Sequence, residues 1–298
     1  MPAEFDFINW IRSQSSASEF VQVPQGDDLA VLKWAAEDLL LVGVDQVLDG
    51  VHFDSAVHSP HLIGRKVVNR NFSDCAAMAC LPAALVVSAA LPRGVGMEYA
   101  KQLYLGMRAA ADEFNCPIVG GDTGSWPGKL ALSVTVLGRS AGIAPITRKG
   151  AKPGDLLYVT GPLGGSILGR HMTFEPRVHL ARELAQTGRI TAMIDLSDGL
   201  SRDLRHICQQ SRVGAIIEAE LLPIHPDAIT LSKRNGLDPL HHTLHDGEDH
   251  ELLFAASGRI EHPGIIYIGA ITGEPTILLR NNDALRELSP GGWEHSLE

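Results

Sequence analysis

Basic clusters, paired cysteines, aromatics and long apolar runs are all scarce in this chain, and each scarcity excludes something. Lys and Arg number 25 against 35 Asp and Glu, a net charge of −10. A nucleic-acid surface needs clustered cations, so no nucleic-acid partner is expected. No apolar run reaches the roughly 18 residues of a membrane helix, so no membrane partner is expected either. The opening MPAEFDFINWIRSQSS has no basic start followed by an apolar stretch. It reads as a short amphipathic helix and not a signal peptide, which makes the cytoplasm the expected location. Cys75, Cys80, Cys116 and Cys208 form no C-x-x-C pair. Free thiols in a reducing compartment are therefore expected, without a zinc site or disulfide framework. Aromatics are 5% of residues, so aliphatic side chains must build most of the core. The phosphate loop G-x-x-x-x-G-K-[ST] is missing, and TGPLGGS (160–166) reads as a tight strand-to-helix turn. The pairs His58/His61 and His241-His242 sit in polar stretches and read as solvated loop residues.

What is present is an alternation of elements. Apolar runs at 39–44 (LLLVGV), 85–91 (LVVSAAL), 117–119, 130–137 (LALSVTVL), 156–160 (LLYVT), 215–217, 252–255 and 265–268 read as strands, several buried on both faces. Apolar residues at helical spacing predict helices over 63–79, 97–114, 177–187 and 200–211. Alternation of this kind indicates an α/β (α+β-like) protein. The Gly-, Pro- and Lys-rich segment 140–154 (SAGIAPITRKGAKPG) marks the boundary, giving an N-terminal domain 1–140 and a C-terminal domain 141–298.

Carboxylates recur at the ends of these elements. Asp27-Asp28 follow FVQVP, Asp45 closes LLLVGV, Asp74 opens a small-residue helix, Asp122 closes PIVGG, Asp195 and Asp198 follow TAMI, and Glu248-Asp249 precede ELLFAA. Any one of them suits a turn or helix cap. As a converging set they would repel, by ~4 kcal/mol per pair about 4 Å apart at an effective dielectric of ~20. A helix N-terminus offsets only ~0.3–1 kcal/mol. Hard divalent cations such as Mg²⁺ take such oxygen ligands and keep positions for water and phosphate.

Seven motifs in order carry a resemblance: GDDLAVL (26–32), VDQVLDGVHF (44–53), GRKVVNRNFSDCAAMACLP (64–82), IVGGDT (118–123), ITRKGAKPGDLLYVTGPLGGS (146–166), MIDLSDGLSRDLRHI (193–207) and DGEDHELLF (246–254). GGWEHS (291–296) closes the series. Together they resemble the thiamine-monophosphate kinase family of the aminoimidazole-ribonucleotide-synthetase-like superfamily. The resemblance implies an N-terminal α/β sheet domain that pairs in a homodimer. It implies a C-terminal α/β domain with helices packed on a mixed sheet. ATP and several Mg²⁺ are implied in a cleft between domains, with γ-phosphoryl transfer to thiamine monophosphate. By position, Asp28, Asp45, Asp74, Asp122, Asp195 and Asp198 match metal-binding carboxylates. Tyr104, Gly121, Asp122, Arg148 and Ser197 match ATP-contacting positions, and His52, Glu248 and Trp293 match acceptor-contacting ones. Because the acceptor is an ionised phosphate oxygen, no general acid or base is expected. Positioning and charge neutralisation carry the reaction.

Four departures stand out. Val44 takes a position where the family often has a hydroxyl, Asp246 and His250 replace Gly and Tyr, Gly164-Gly165-Ser166 replaces GDS, and the segment between Gly165 and Ile190 is short compared with many members. Two other readings remain open: another ATP-using member of the superfamily with a different small acceptor, and a non-catalytic nucleotide-binding homologue. A selenophosphate-type enzyme would carry an early Cys or Sec, and the first 30 residues have no Cys.

Overall fold

A computed structural model describes residues 10, 11, 13, 14, 21–23 and 31–293. Most of the N-terminal amphipathic segment, with Asp27 and Asp28, lies outside them. The chain divides into two compact units, Met1–Cys75 with Cys80–Gly142, and Ala76–Ala79 with Ile143–Glu298. Both are α/β, each with a mixed sheet and helices.

The first unit begins with an antiparallel ribbon, β1 (Val21–Val23) on β2 (Val31–Leu32). Its main sheet has the order β3-β6-β4-β5, built from β3 (Leu40–Leu48), β4 (Leu81–Pro92), β5 (Ile118–Trp126) and β6 (Ala131–Arg139). Only β4 and β5 run parallel. Along β6 the burial alternates strictly, as a sheet with one covered face requires. Leu132, Val134 and Val136 point into the core, with Ile63, Val67 and Phe72 of α1 (Pro60–Ala77) and Leu103, Met107 and Ala110 of α2 (Met97–Glu113). The two helices meet backbone to backbone. A Cβ on Gly64 would lie 2.1 Å from the Leu103 carbonyl oxygen, and one on Gly106 would lie 2.0 Å from that of His61.

The opposite face of this sheet is apolar but uncovered in the single chain. Leu40, Val42 and Val44 alternate outward on the edge strand β3, at 53%, 64% and 65% exposure. Val86 and Leu137 share their rows. Val44, the residue without a hydroxyl, is part of this face. Neighbouring strand residues face opposite sides, so Val44 belongs to the outer face and Asp45 to the helix-covered one.

In the second unit seven strands follow the order β13-β12-β9-β11-β7-β10-β8. They are β7 (Leu156–Val159), β8 (Ile190–Asp195), β9 (Gly214–Glu218), β10 (Leu252–Ala256), β11 (Ile266–Thr272), β12 (Ile277–Asn281) and β13 (Ala284–Glu287). Only β9 and β12 pair in parallel. The helices are α3 (Val178–Gln186), α4 (Leu200–Ser211), α5 (Pro226–Asn235) and α6 (Pro239–His245). Leu200, Leu204 and Ile207 place the apolar stripe of α4 in one core with Leu157, Val159, Ile194 and Leu253. β10, between β7 and the edge strand β8, is buried along its whole length. No helix among the described residues is long and apolar enough to cross a membrane.

Several local expectations need correction. Asp45 and Asp122 lie inside strands, not at their ends, because β3 and β5 run on through Gly43 and the glycines of GGDTG. Pairing with β6 at Gly43 and with β4 along GGDTG outweighs the turn preference of those glycines. Asp74 stands in the last turn of α1 and does not open a helix. His61 lies in α1, and His241 and His242 lie in α6. His242 is buried, with Nδ1 3.0 Å from each Asp246 oxygen, so it is no solvated loop residue.

Candidate active site

In the second unit, the stretch after β8 is pinned from three sides. The Leu196 N–H donates to the Glu251 carbonyl (2.7 Å), and the Ser197 and Leu196 carbonyls accept from the N–H groups of Glu248 (2.7 Å) and His250 (2.8 Å). The Trp293 N–H donates to the Asp198 carbonyl at 3.0 Å. Thus Asp195, Ser197, Asp198, Glu248 and Trp293 are brought into one neighbourhood. Gly199 makes this closeness possible. Its φ is +103°, and a Cβ there would lie 2.8 Å from the Asp246 carbonyl oxygen.

A fourth acid joins them. Asp203, in the first turn of α4, is 1% exposed and accepts the Asp198 N–H at 3.1 Å. Its carboxyl is pushed up to about 8, first by burial and then by the charges of Asp195 and Asp198, against the Asp198 N–H and Arg148. Asp198, Asp203 and His206 each offer a ligand atom within 4.8 Å of the others. The His206 imidazole is pushed down by burial and by Arg148, with Asp198 opposing. Arg148 is therefore near the acids, as a phosphate-facing cation would need to be. Asp203 and His206 were missed in sequence because they fall at helical spacing inside an amphipathic stretch, where polar residues read as an outer face.

The loop before β10 is held on its other side by the segment after β7. Glu248 Oε2 meets His171 Nδ1 at 3.0 Å, and Asp249 meets Arg170 Nη2 at 3.0 Å. Glu251 takes Arg177 through both oxygens, at 2.6 and 2.8 Å, and Thr160 Oγ1 at 2.6 Å. Burial pushes the Asp249 carboxyl up to about 7 despite Arg170. His250 stacks on Phe174 at 3.9 Å and stands 3.6 Å from Asp195. Glu248 and His250 both hold left-handed backbone, φ +59° and +52°. Non-glycine residues there cost on the order of 1–3 kcal/mol each and concentrate at functional sites. The Gly-rich segment leads into short 3₁₀ turns, not directly into a helix. Its N–H groups at Gly164 and Gly165 donate to the carboxylates of Asp249 and Asp246, so the chain's own acids take the places a phosphate would.

In the first unit the expected residues scatter more. His52 Nδ1 accepts the Leu48 N–H at 3.1 Å, which puts the proton of the neutral ring on Nε2. Its carbonyl accepts from fully buried Lys66 at 2.6 Å. Asp45 shares a cross-strand row with Val134, Val87 and Gly121, whereas exposed Asp122 lies in the next row with Ser88. Asp45 and Asp122 therefore leave the sheet on opposite faces. Asp45 receives Arg70 through Nε at 2.8 Å and Nη2 at 3.3 Å. Tyr104 is 7% exposed and meets Trp10 edge to face at 5.6 Å, so it packs in the core.

The architecture is that of the AIR synthase-related class: residues 26–140 match the model for "AIR synthase related protein, N-terminal domain". Within that class, the chain is 42% identical over 261 residues to the thiamine-monophosphate kinase of Rhodopirellula baltica, covering 85% of this chain and 82% of the relative. The crystal structure of the Stenotrophomonas maltophilia thiamine-monophosphate kinase aligns with a TM-score of 0.81 at 29% identity, covering 95% of this chain and 98% of that one. The structure of AaThiL complexed with AMPPCP and TMP aligns at 0.79 and 26% identity over 99% of each. The chain belongs to the thiamine-monophosphate kinase family.

Proposed function

We propose that this chain transfers the γ-phosphoryl group of ATP to thiamine monophosphate, giving thiamine diphosphate and ADP. Kinship with a thiamine-monophosphate kinase over 85% of the chain carries the reading. The solved relative complexed with AMPPCP and TMP supports both ligands.

The second-unit acids fit Mg²⁺. They are hard oxygen donors, and burial first, then the charges of Asp195 and Asp198, raise the Asp203 carboxyl, the repulsive part of which a cation would relieve. Asp195 and Asp198 would hold the metal, with Asp203 fixing Asp198 through its N–H. Asp74 and Asp122 of the first unit keep the ligand role that the resemblance gives them, and Asp28 does so outside the described residues. When bound, the metal neutralises phosphate charge that the protein alone would repel. Arg148, within electrostatic reach of Asp203 and His206, adds a permanent cation for ATP phosphate, and Ser197 keeps the nucleotide role that the resemblance gives it. Gly121 keeps the nucleotide role that the resemblance gives it, while its lack of a side chain is already required by β4, where a Cβ would lie 2.1 Å from the Val87 carbonyl oxygen. Tyr104, as a core residue, is left out of the nucleotide set. His52 would offer Nε2–H to the acceptor. In the second unit His171 orients the Glu248 carboxylate, and Trp293 supplies an exposed aromatic face; both Glu248 and Trp293 keep the acceptor role that the resemblance gives them. No step removes a proton from carbon or oxygen, so the many ion-paired acids need no free base among them.

The working form is a homodimer joined across the apolar outer face of β3 and β6, which a soluble monomer would not leave bare. The cytoplasm suits a chain whose four cysteines are buried thiols outside any disulfide.

ADP release at millimolar Mg²⁺, with and without thiamine monophosphate, tests the activity. Turnover stimulated by the acceptor is expected. ATP use indifferent to it would favour another acceptor, and failure to bind ATP would favour a non-catalytic homologue.

A further inference from the structure

We propose that in this chain Arg70 stands in for a divalent cation at Asp45, so that Asp45 is neutralised by a guanidinium and ligates no metal. The inference rests on the Mg²⁺–ATP reading above and departs from the resemblance at one residue.

Three observations carry it. First, both Asp45 oxygens are engaged by the same guanidinium, Oδ2 by Nε at 2.8 Å and Oδ1 by Nη2 at 3.3 Å. That two-point pair uses the fixed fork of arginine, whose charge does not titrate away near neutral pH. Second, the pair is sheltered, with side chains 13% and 24% exposed. Water screens it less than a surface pair, and a divalent ion at the same carboxylate would sit against a cation fixed by the core helix α1. Third, α1 places Arg70 one turn before Asp74, on the same helix face. The guanidinium that takes up Asp45 therefore comes from the helix face that also carries Asp74.

The strand geometry agrees. Asp122 leaves the sheet on the face opposite to Asp45, so those two carboxylates do not chelate together. Val44 offers no hydroxyl, and its side chain lies on the outer face as well. A one-charge group in place of a two-charge ion leaves Asp45 neutralised without a recruited metal, independent of the Mg²⁺ concentration.

The test counts metal. Mn²⁺ serves as the probe, with free Mn²⁺ read by electron paramagnetic resonance on the full chain with AMPPCP present. D45N is expected to bind as many Mn²⁺ per chain as the unaltered protein. R70M is expected to bind one more, and D45N/R70M to return to the original number. Loss of one Mn²⁺ in D45N overturns the proposal, as does an unchanged count in an R70M protein that keeps its thermal midpoint. If R70M does not fold, the D45N count decides alone. D195N is the separate check on the wider reading and is expected to lose Mn²⁺. If neither the unaltered chain nor D195N binds any, the metal assignment falls as a whole and this one with it.

Discussion

Replacing Asp203 by Asn separates the acid cluster's cost to folding from its use. Asn keeps an oxygen to accept the Asp198 N–H but removes the charge. In the folded protein the Asp203 carboxyl is pushed up to about 8 from an ordinary 3.8. The folded state therefore binds this proton more tightly than the unfolded state. Stability from the protonated group is fully present below pH 3.8 and is lost as pH rises towards 8. The slope is about 1.4 kcal/mol per pH unit for one proton. Between pH 5 and 7 the metal-free protein should lose about 2.7 kcal/mol relative to D203N. For a unit of this size that is roughly 5–11 °C in the unfolding midpoint. Because Asp203 is 1% exposed, solvent screening does not reduce the figure much. The assay is thermal unfolding in chelator across pH 5 to 9, plotted as the difference between the two proteins, which removes the titration of other groups. With Mg²⁺ added, the unaltered protein should recover stability at pH 8 and D203N should recover less. A difference that stays constant from pH 5 to 8 would refute the reasoning, because the carboxyl would then have an ordinary affinity for its proton and the three acids would not be crowded.

Other outcomes follow from single contacts. R177M strips the buried Glu251 carboxylate of its two-point partner. Removing one member of a buried pair costs ~3–5 kcal/mol, and the 34% exposure of the Arg177 side chain lowers this to about 2. A shifted urea midpoint that E251Q/R177M partly restores would bear this out. V44D places a charge on the apolar outer face of β3 and, if the proposed homodimer forms there, should give a monomer in light scattering without unfolding it. H52A should raise the KM for thiamine monophosphate while leaving that for ATP within about twofold, and a change confined to ATP would displace His52 from the acceptor.

Sequence patterning located the elements because aliphatic runs and helical spacing have direct physical causes. The runs 130–137 and 156–160 became β6 and β7, and 97–114 became α2 almost residue for residue. Failures came where local preference and tertiary pairing disagree. Glycines at 120, 121 and 124 suggest a turn, yet β5 runs through them because β4 supplies its hydrogen bonds. Helices α5 and α6 were not anticipated. Each starts with Pro at its first position and a capping side chain before it, His225 or Asp238, inside a stretch too short and polar for periodicity to reveal. Asp195, Ser197 and Asp198 could be read from MIDLSDG because a carboxylate after a buried strand is conspicuous. The pairing of Arg70 with Asp45 could not, since nothing in the chain's order indicates which cation reaches across 25 positions. The ties of Glu248 to His171 and Asp249 to Arg170 are hidden for the same reason.

The main-chain bond from Trp293 to Asp198 joins the last described residue to the heart of the acid cluster. A carboxypeptidase that erodes the chain past that residue would release the cluster's backbone while leaving both sheets whole. Digestion followed over time should therefore uncouple Mg²⁺ affinity from melting temperature, with the former failing first.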